Sequence, residues 1–237
     1  MKIIINSKYQ QLAGFINLLP ETFETAGTSI YKARNELKTY EVGGYDIVVK
    51  SFRKPHLLNR IAYGFLRPSK AQRSYEYALE LLKRGVNTPE PIAYIEEKKG
   101  GLLNRSYYIC IFEREYDHIR LYMTGEKKDD AFLAKLADFI ADFHKKGVLF
   151  LDMSPGNILF KEANNNVAFS LVDINRTRFK TNLSKQERYQ SFKRLSHNVS
   201  VINFVVREYA RQSGINENEA ITEVMKICKK FFKAKLN

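Results

Sequence analysis

Leu149-Phe150-Leu151-Asp152-Met153-Ser154-Pro155-Gly156-Asn157-Ile158-Leu159 is the stretch on which the fold of this 237-residue chain turns. An aspartate is followed, after four residues, by an asparagine, and Ser154-Pro155-Gly156 between them punctuates the chain as a loop. Upstream, Asp129 to Lys146 places Phe132, Leu133, Leu136, Phe139, Ile140 and Phe143 at helical spacing, and Gly147 supplies the stop. Downstream, short strands are predicted around Asn157 to Phe160 and Phe169 to Asp173, across a hairpin turn at Ala163-Asn164-Asn165-Asn166. Asp152 and Asn157 therefore share a loop between a helix and a strand, where both side chains can face one cleft. The second apolar strand delivers Asp173 at its end. Two further helices, about Lys185 to Gln212 and Asn216 to Lys235, close the chain.

The first half reads differently. Ile30-Tyr31-Lys32, Leu37 to Val42 and Asp46 to Phe52 form a predicted antiparallel meander, with turns at Arg34-Asn35 and Gly43-Gly44. Pro68 opens a helix to about Arg84, with Ala71, Tyr75, Leu79 and Leu82 on one face and Gly85 as its stop. Strands at Pro91 to Glu96 and Ser106 to Arg114 follow. The fold class is α+β: a small antiparallel-sheet half with one helix, about residues 1–115, and a mainly helical half, about 116–237, within a single domain.

Composition bounds the function. Hydrophobic residues at 44% and aromatics at 13% are ample for a packed core, so an ordered chain is the default reading. The two cysteines, Cys110 and Cys228, lie in apolar segments without metal-ligand spacing and read as buried thiols of a reducing compartment. The opening MKIIINSKYQ has an apolar run of three residues, too short for a secretory leader, so the expected location is the cytoplasm. A net charge of +13 fits a nucleic acid, an anionic membrane surface or an anionic substrate alike; no zinc-finger spacing or RNP-like strand accompanies it, so no nucleic-acid partner is expected.

The chemistry resembles phosphoryl transfer in protein kinases. Their catalytic loop has the same Asp-x4-Asn spacing: the aspartate accepts the acceptor hydroxyl proton and the asparagine reaches Mg²⁺. Asp173 ends an apolar strand as a second Mg²⁺ ligand does. Ile47-Val48-Val49-Lys50 resembles the strand-borne lysine that meets the α- and β-phosphates of ATP. Glu76 on the next helix is the expected ion-pair partner, with Glu80 one turn on as the alternative.

From about Ile30 to Tyr209 the chain is similar to the lipopolysaccharide kinases, the Kdo and heptose kinases distantly related to protein kinases. The resemblance rests on the Lys50 strand, on Arg73-Ser74-Tyr75-Glu76 leading to Gly85-Val86-Asn87-Thr88-Pro89, on the Asp152 loop, and most specifically on Asp173-Ile174-Asn175-Arg176-Thr177-Arg178-Phe179. It implies a two-lobe protein-kinase-like fold and ATP- and Mg²⁺-dependent phosphorylation of a sugar hydroxyl of the lipopolysaccharide inner core. Kdo on lipid A is the favoured acceptor. Asp152 is then the catalytic base, Asn157 and Asp173 hold Mg²⁺, and Lys50 and Glu76 serve ATP. Arg176 and Arg178 either bind the acceptor's carboxylate or phosphates or hold the loop by an ion pair. Adenine is expected against backbone groups near Phe112 to Tyr116.

Departures narrow the class. Arg34-Asn35 stands where protein kinases have a glycine-rich loop, Phe150-Leu151 where His-Arg precedes the catalytic aspartate, and Ile174-Asn175 where a glycine follows Asp173. An Ala-Pro-Glu segment is missing. These changes favour a small-molecule or glycolipid acceptor; the competing readings are a kinase of another small molecule, an atypical protein kinase, or a non-catalytic kinase-like scaffold. His144, near a helix end, reads as a dipole-stabilising or packing residue. Arg53 to Arg67 and the last helix, with Lys226, Lys229, Lys230 and Lys233, mix cations with apolar residues, which reads either as a peripheral contact with the anionic cytoplasmic face of the inner membrane or as ordinary core-facing helices with a solvated charged face.

Overall fold

Ile3-Ile4-Ile5 becomes strand β1 (Lys2–Ile5) in the computed structural model, which describes residues 1–52, 68–163 and 166–236. A 3-10 turn (Ser7–Leu12) and helix α1 (Ala13–Thr22) follow, none of them foreseen from the local pattern. Then come β2 (Thr28–Lys32), β3 (Asn35–Val42) and β4 (Tyr45–Phe52), the meander the sequence predicts, with Leu37 opposite Lys50 and Val42 opposite Tyr45. Helix α2 (Lys70–Lys83), β5 (Pro91–Lys99) and β6 (Leu102–Ile111) complete a six-stranded antiparallel sheet in the order β1-β5-β6-β4-β3-β2. The sixth strand is β1, which pairs with β5 in the register Ile3↔Ile95.

One compact unit comprises Met1–Lys83 and Thr88–Arg114. Its core sets Tyr9, Leu12, Ile16, Leu19 and Phe23 against Ile47, Val49, Ile92, Ile95, Tyr107 and Ile109 of the sheet. Each fully buried large apolar side chain contributes about 1.5–3 kcal/mol. That is what lets α1 persist with Pro20 inside it and no side-chain cap at its start. Beyond its C-terminus a buried cation takes over: Lys38 Nζ donates to the carbonyls of Phe23 (2.5 Å), Glu24 (3.2 Å) and Ala26 (3.1 Å). An ammonium has three protons, and here each has a backbone acceptor.

Helix α2 starts after Ser69, whose Oγ accepts from Gln72 N at 3.0 Å. Its buried face is Ala71, Ser74, Tyr75, Ala78 and Leu81. Leu79 and Leu82, expected on that face, are exposed instead, because serine and alanine permit a closer approach to the sheet on the other side.

The other unit comprises Arg84–Asn87 and Glu115–Asn237. It runs β7 (Asp117–His118), α3 (Arg120–Thr124), α4 (Asp130–Lys145), β8 (Val148–Leu149), β9 (Ile158–Ala163), β10 (Asn166–Leu171) and β11 (Arg178–Phe179). Asp129 caps α4 by accepting from Phe132 N at 2.9 Å. The α4 aromatics meet the β9–β10 hairpin: Phe139 stacks on Phe169 at 5.2 Å, and Phe132 packs edge-on to Phe160 at 5.0 Å. The chain ends in α5 (Lys185–Ser191), a 3-10 turn (Phe192–Arg194), α6 (Val199–Gln212) and α7 (Glu217–Leu236).

One predicted helix, Lys185 to Gln212, is thus two. Asn198 breaks it, its side chain accepting from Ser200 N and Val201 N to start α6 afresh. His144 is a packing residue and carries no dipole-stabilising charge. It is 1% exposed, with Nδ1 2.9 Å from Tyr209 Oη and Nε2 3.3 Å from Ser191 Oγ. Burial, and after it the nearby Arg188, pushes its pKa down to about 3. In α7, Ala220, Val224, Ile227 and Cys228 are buried, Phe232 lies 4.3 Å from the His197 ring, and Ile221, Phe231 and Phe232 are half-buried, so part of the apolar face of this helix packs on the protein. Lys226, Lys229, Lys230 and Lys233 remain exposed. The other candidate membrane segment, Arg53 to Arg67, and the turn residues Asn164-Asn165 lie outside the described residues. Among the described residues, no helix is long and apolar enough to cross a membrane.

Candidate active site

Gly147 launches the central loop. At φ 72° it ends α4, and a Cβ there would lie 1.9 Å from the Lys180 carbonyl oxygen, so only glycine fits. The chain enters β8, which pairs with β11 in the register Leu149↔Arg178 and Val148↔Phe179. That pairing brings the segment around Arg176 to the segment around Asp152. Phe150 and Met153, both 0% exposed, anchor the loop on either side of Asp152.

Hydrogen bonds then gather the polar residues. Asn157 Nδ2 donates to the Asp152 carbonyl at 2.9 Å, and Ser154 N to the same oxygen at 2.8 Å. The Asn157 carbonyl accepts from Val172 N at 3.0 Å, which ties the loop to the residue just before Asp173. Three residues predicted from sequence, Asp152, Asn157 and Asp173, are therefore linked within one unit. Gly156 admits the Arg120 guanidinium, whose Nη2 would lie 2.6 Å from a Cβ at that position.

Asp173 has φ 54°, the one non-glycine residue at positive φ among the described residues. Aspartate tolerates this region better than most residues, yet the conformation is still costly and is held from outside. The flanking Ile174, Asn175 and Thr177 are buried, and Asn175 Nδ2 donates to Asp173 Oδ1 at 2.6 Å.

The Asp152 carboxylate, 14% exposed, meets two guanidinium groups: Arg194 Nη1 bonds to Oδ1, and Arg176 Nη1 lies 3.6 Å from Oδ2. Arg176 thus has the loop-facing ion pair. Arg178, on β11, is exposed. Arg194 went unforeseen; it stands 42 positions from Asp152, and no local pattern marks it.

Lys50 is half-buried on β4, between Leu37 and Tyr108 of the neighbouring strands, its Nζ 5.4 Å from the Phe52 ring. Glu76 is exposed on α2 and accepts from Gln72 Nε2 at 2.7 Å; Glu80, one turn on, is half-buried.

The donor set suits a hard cation. Asp173 offers carboxylate oxygens, and the bond from Asn157 Nδ2 turns that side chain's Oδ1 the other way. A cation that shares its shell with phosphate oxygens and water needs few protein ligands. Among the described residues no three His, Cys, Asp or Glu side chains cluster as a self-sufficient metal site would require.

No curated protein matches the sequence. A solved structure titled "WaaP in complex with acyl carrier protein" matches with a TM-score of 0.66 at 14% identity, over 97% of this chain and 99% of that one. A likeness at that identity speaks to fold, and the class is a kinase-like α+β protein. The sequence itself goes further: this chain belongs to the lipopolysaccharide kinase (Kdo/WaaP) family, whose pattern it matches over residues 39–213. Membership makes it a nucleotide-using phosphotransferase of lipopolysaccharide biosynthesis.

Proposed function

We propose that the protein phosphorylates a sugar hydroxyl of the lipopolysaccharide inner core, with Kdo on lipid A as acceptor, ATP as donor and Mg²⁺ as cofactor. The observation that carries this reading is that Asn157 bonds the Asp152 carbonyl through Nδ2 and, through its own carbonyl, Val172, the residue just before Asp173. Asp152 orients the acceptor hydroxyl and accepts its proton. Asn157 Oδ1 and the Asp173 carboxylate hold Mg²⁺, which when bound neutralises charge on the transferring phosphoryl group. Lys50 places a point charge at the phosphates, with Glu76, or Glu80 beside it, fixing its side chain. Phe112 to Tyr116 supplies backbone groups to adenine. Arg176 and Arg178 meet the acid group of the acceptor, and the exposed lysines of α7 hold the protein against anionic lipid on the cytoplasmic face of the membrane.

Incubation with labelled ATP, Mg²⁺ and Kdo-bearing or heptose-extended lipid A, followed by mass spectrometry, tests the proposal. One added phosphate on Kdo, abolished by Asp152→Ala in a folded protein, is the expected result. Phosphate on protein alone would instead favour an atypical protein kinase, and no transfer under any condition a scaffold.

A further inference from the structure

We propose that Arg194 is the positioning residue of the catalytic aspartate: it holds Asp152 Oδ1 and so reserves Oδ2 for the acceptor hydroxyl. The inference rests on the reading of Asp152 as the base. A carboxylate that must take a proton from a bound hydroxyl has to be held in one rotamer, since a displacement of about 1 Å costs ~100-fold in rate. The guanidinium that bonds Asp152 Oδ1 comes from 42 positions further along the chain.

The two guanidinium groups on Asp152 are not equivalent. Arg176 is 65% exposed and 3.6 Å from Oδ2, a distance at which the pair is loosely held. Arg194 is 34% exposed and hydrogen-bonded to Oδ1. Its backbone is also fixed. The 3-10 turn Phe192–Arg194 is bracketed by Phe192 and Leu195, both 0% exposed, and Leu195 N donates to the Phe192 carbonyl at 2.9 Å. Ser196, 3% exposed, clamps the next step by donating from Oγ to the Met123 carbonyl at 2.6 Å. An anchored arginine on one oxygen and a solvated one near the other leave a single side of the carboxylate that a substrate can enter by displacing a side chain. A guanidinium also suits the task better than an ammonium, because its planar fork loses less freedom per bond.

The test measures initial rates of Arg194→Ala, Arg194→Lys and Arg194→Gln with ATP, Mg²⁺ and Kdo-bearing lipid A, beside wild type and Asp152→Ala. Arg194→Ala is expected to lower kcat ~10–100-fold while KM for ATP stays within about twofold. Arg194→Lys should recover part of the loss, and Arg194→Gln less. Should Arg194→Ala fail to fold, the lysine and glutamine variants give the same comparison. Wild-type kcat in the folded alanine or glutamine variant, with Asp152→Ala inactive, overturns the role of Arg194 alone. Full activity in Asp152→Ala, or no transfer by wild type, overturns the reading of the site beneath it.

Discussion

Acidifying the protein from pH 7 to pH 5 should cost it stability through its buried His144 before its carboxylates titrate, in addition to what His118, whose pKa burial also lowers, contributes. His144 is enclosed by α4, α5 and α6, with Tyr209 and Ser191 on its two ring nitrogens and the Phe143, Phe192 and Tyr209 rings edge-on to it. Burial, reinforced by the charge of Arg188, lowers its pKa to about 3, against 6.5 for a free imidazole. The sign follows from linkage: the unfolded chain takes up a proton below pH 6.5, and the folded chain takes it up only near pH 3. The contribution of the neutral ring is therefore complete above pH 6.5 and declines as pH falls. At about 1.36 kcal/mol per pH unit, the unit and a half between 6.5 and 5 amounts to about 2 kcal/mol. Urea denaturation of wild type and His144→Gln at both pH values measures it. The wild type should lose about 2 kcal/mol more than the variant on acidification, and its ring carbon proton shifts should stay constant between pH 7.5 and 5. Equal losses in the two proteins, or a titrating ring, would refute the reasoning.

Lys38→Met removes the ammonium and orphans the carbonyls of Phe23, Glu24 and Ala26; at about 1–3 kcal/mol for a buried unpaired group, and less for those partly solvated, urea unfolding should show a loss of about 2–4 kcal/mol. Gly147→Ala sets a methyl against the Lys180 carbonyl at positive φ, so thermal melting should fall by the equivalent of about 2–5 kcal/mol, with β8 and β11 losing amide-exchange protection first. Asn157→Ala severs the bond to the Asp152 carbonyl and removes a proposed Mg²⁺ ligand; transfer should drop at least ~100-fold, with raised Mg²⁺ concentration restoring only part of it.

The parts of this molecule that sequence reveals are those whose signal is local. The meander is legible from β-branched runs between turn residues, α4 from its apolar spacing, and the Asp152 loop from its fixed intervals. Strand β1 is not, because Ile3-Ile4-Ile5 becomes a strand only when β5, far along the chain, offers an edge, as Ile3 pairs with Ile95. Helix α1 hides behind Pro20 and an uncapped start. The buried face of α2 is poorly legible because two leucines outweigh serine and alanine in a hydrophobicity count, although small residues are what a close helix–sheet contact selects. In the site, side chains held by neighbouring segments are legible in the sequence, whereas Arg194 and the partners of His144 are joined only by the tertiary fold.

The span that marks this chain as a family member begins at residue 39, well after β1, the 3-10 turn and α1. A protein trimmed to the recognisable span would keep every proposed catalytic group yet strip Tyr9, Leu12, Ile16, Leu19 and Phe23 from the sheet, baring Ile47, Val49, Ile92 and Ile109 to water. It would also lose Val224 and Cys228 of α7 from the opposite end. Such a fragment should precipitate rather than work. Evolutionary signature and folding unit have different borders here, and anyone cutting the gene by the former would discard the lid of its own hydrophobic interior.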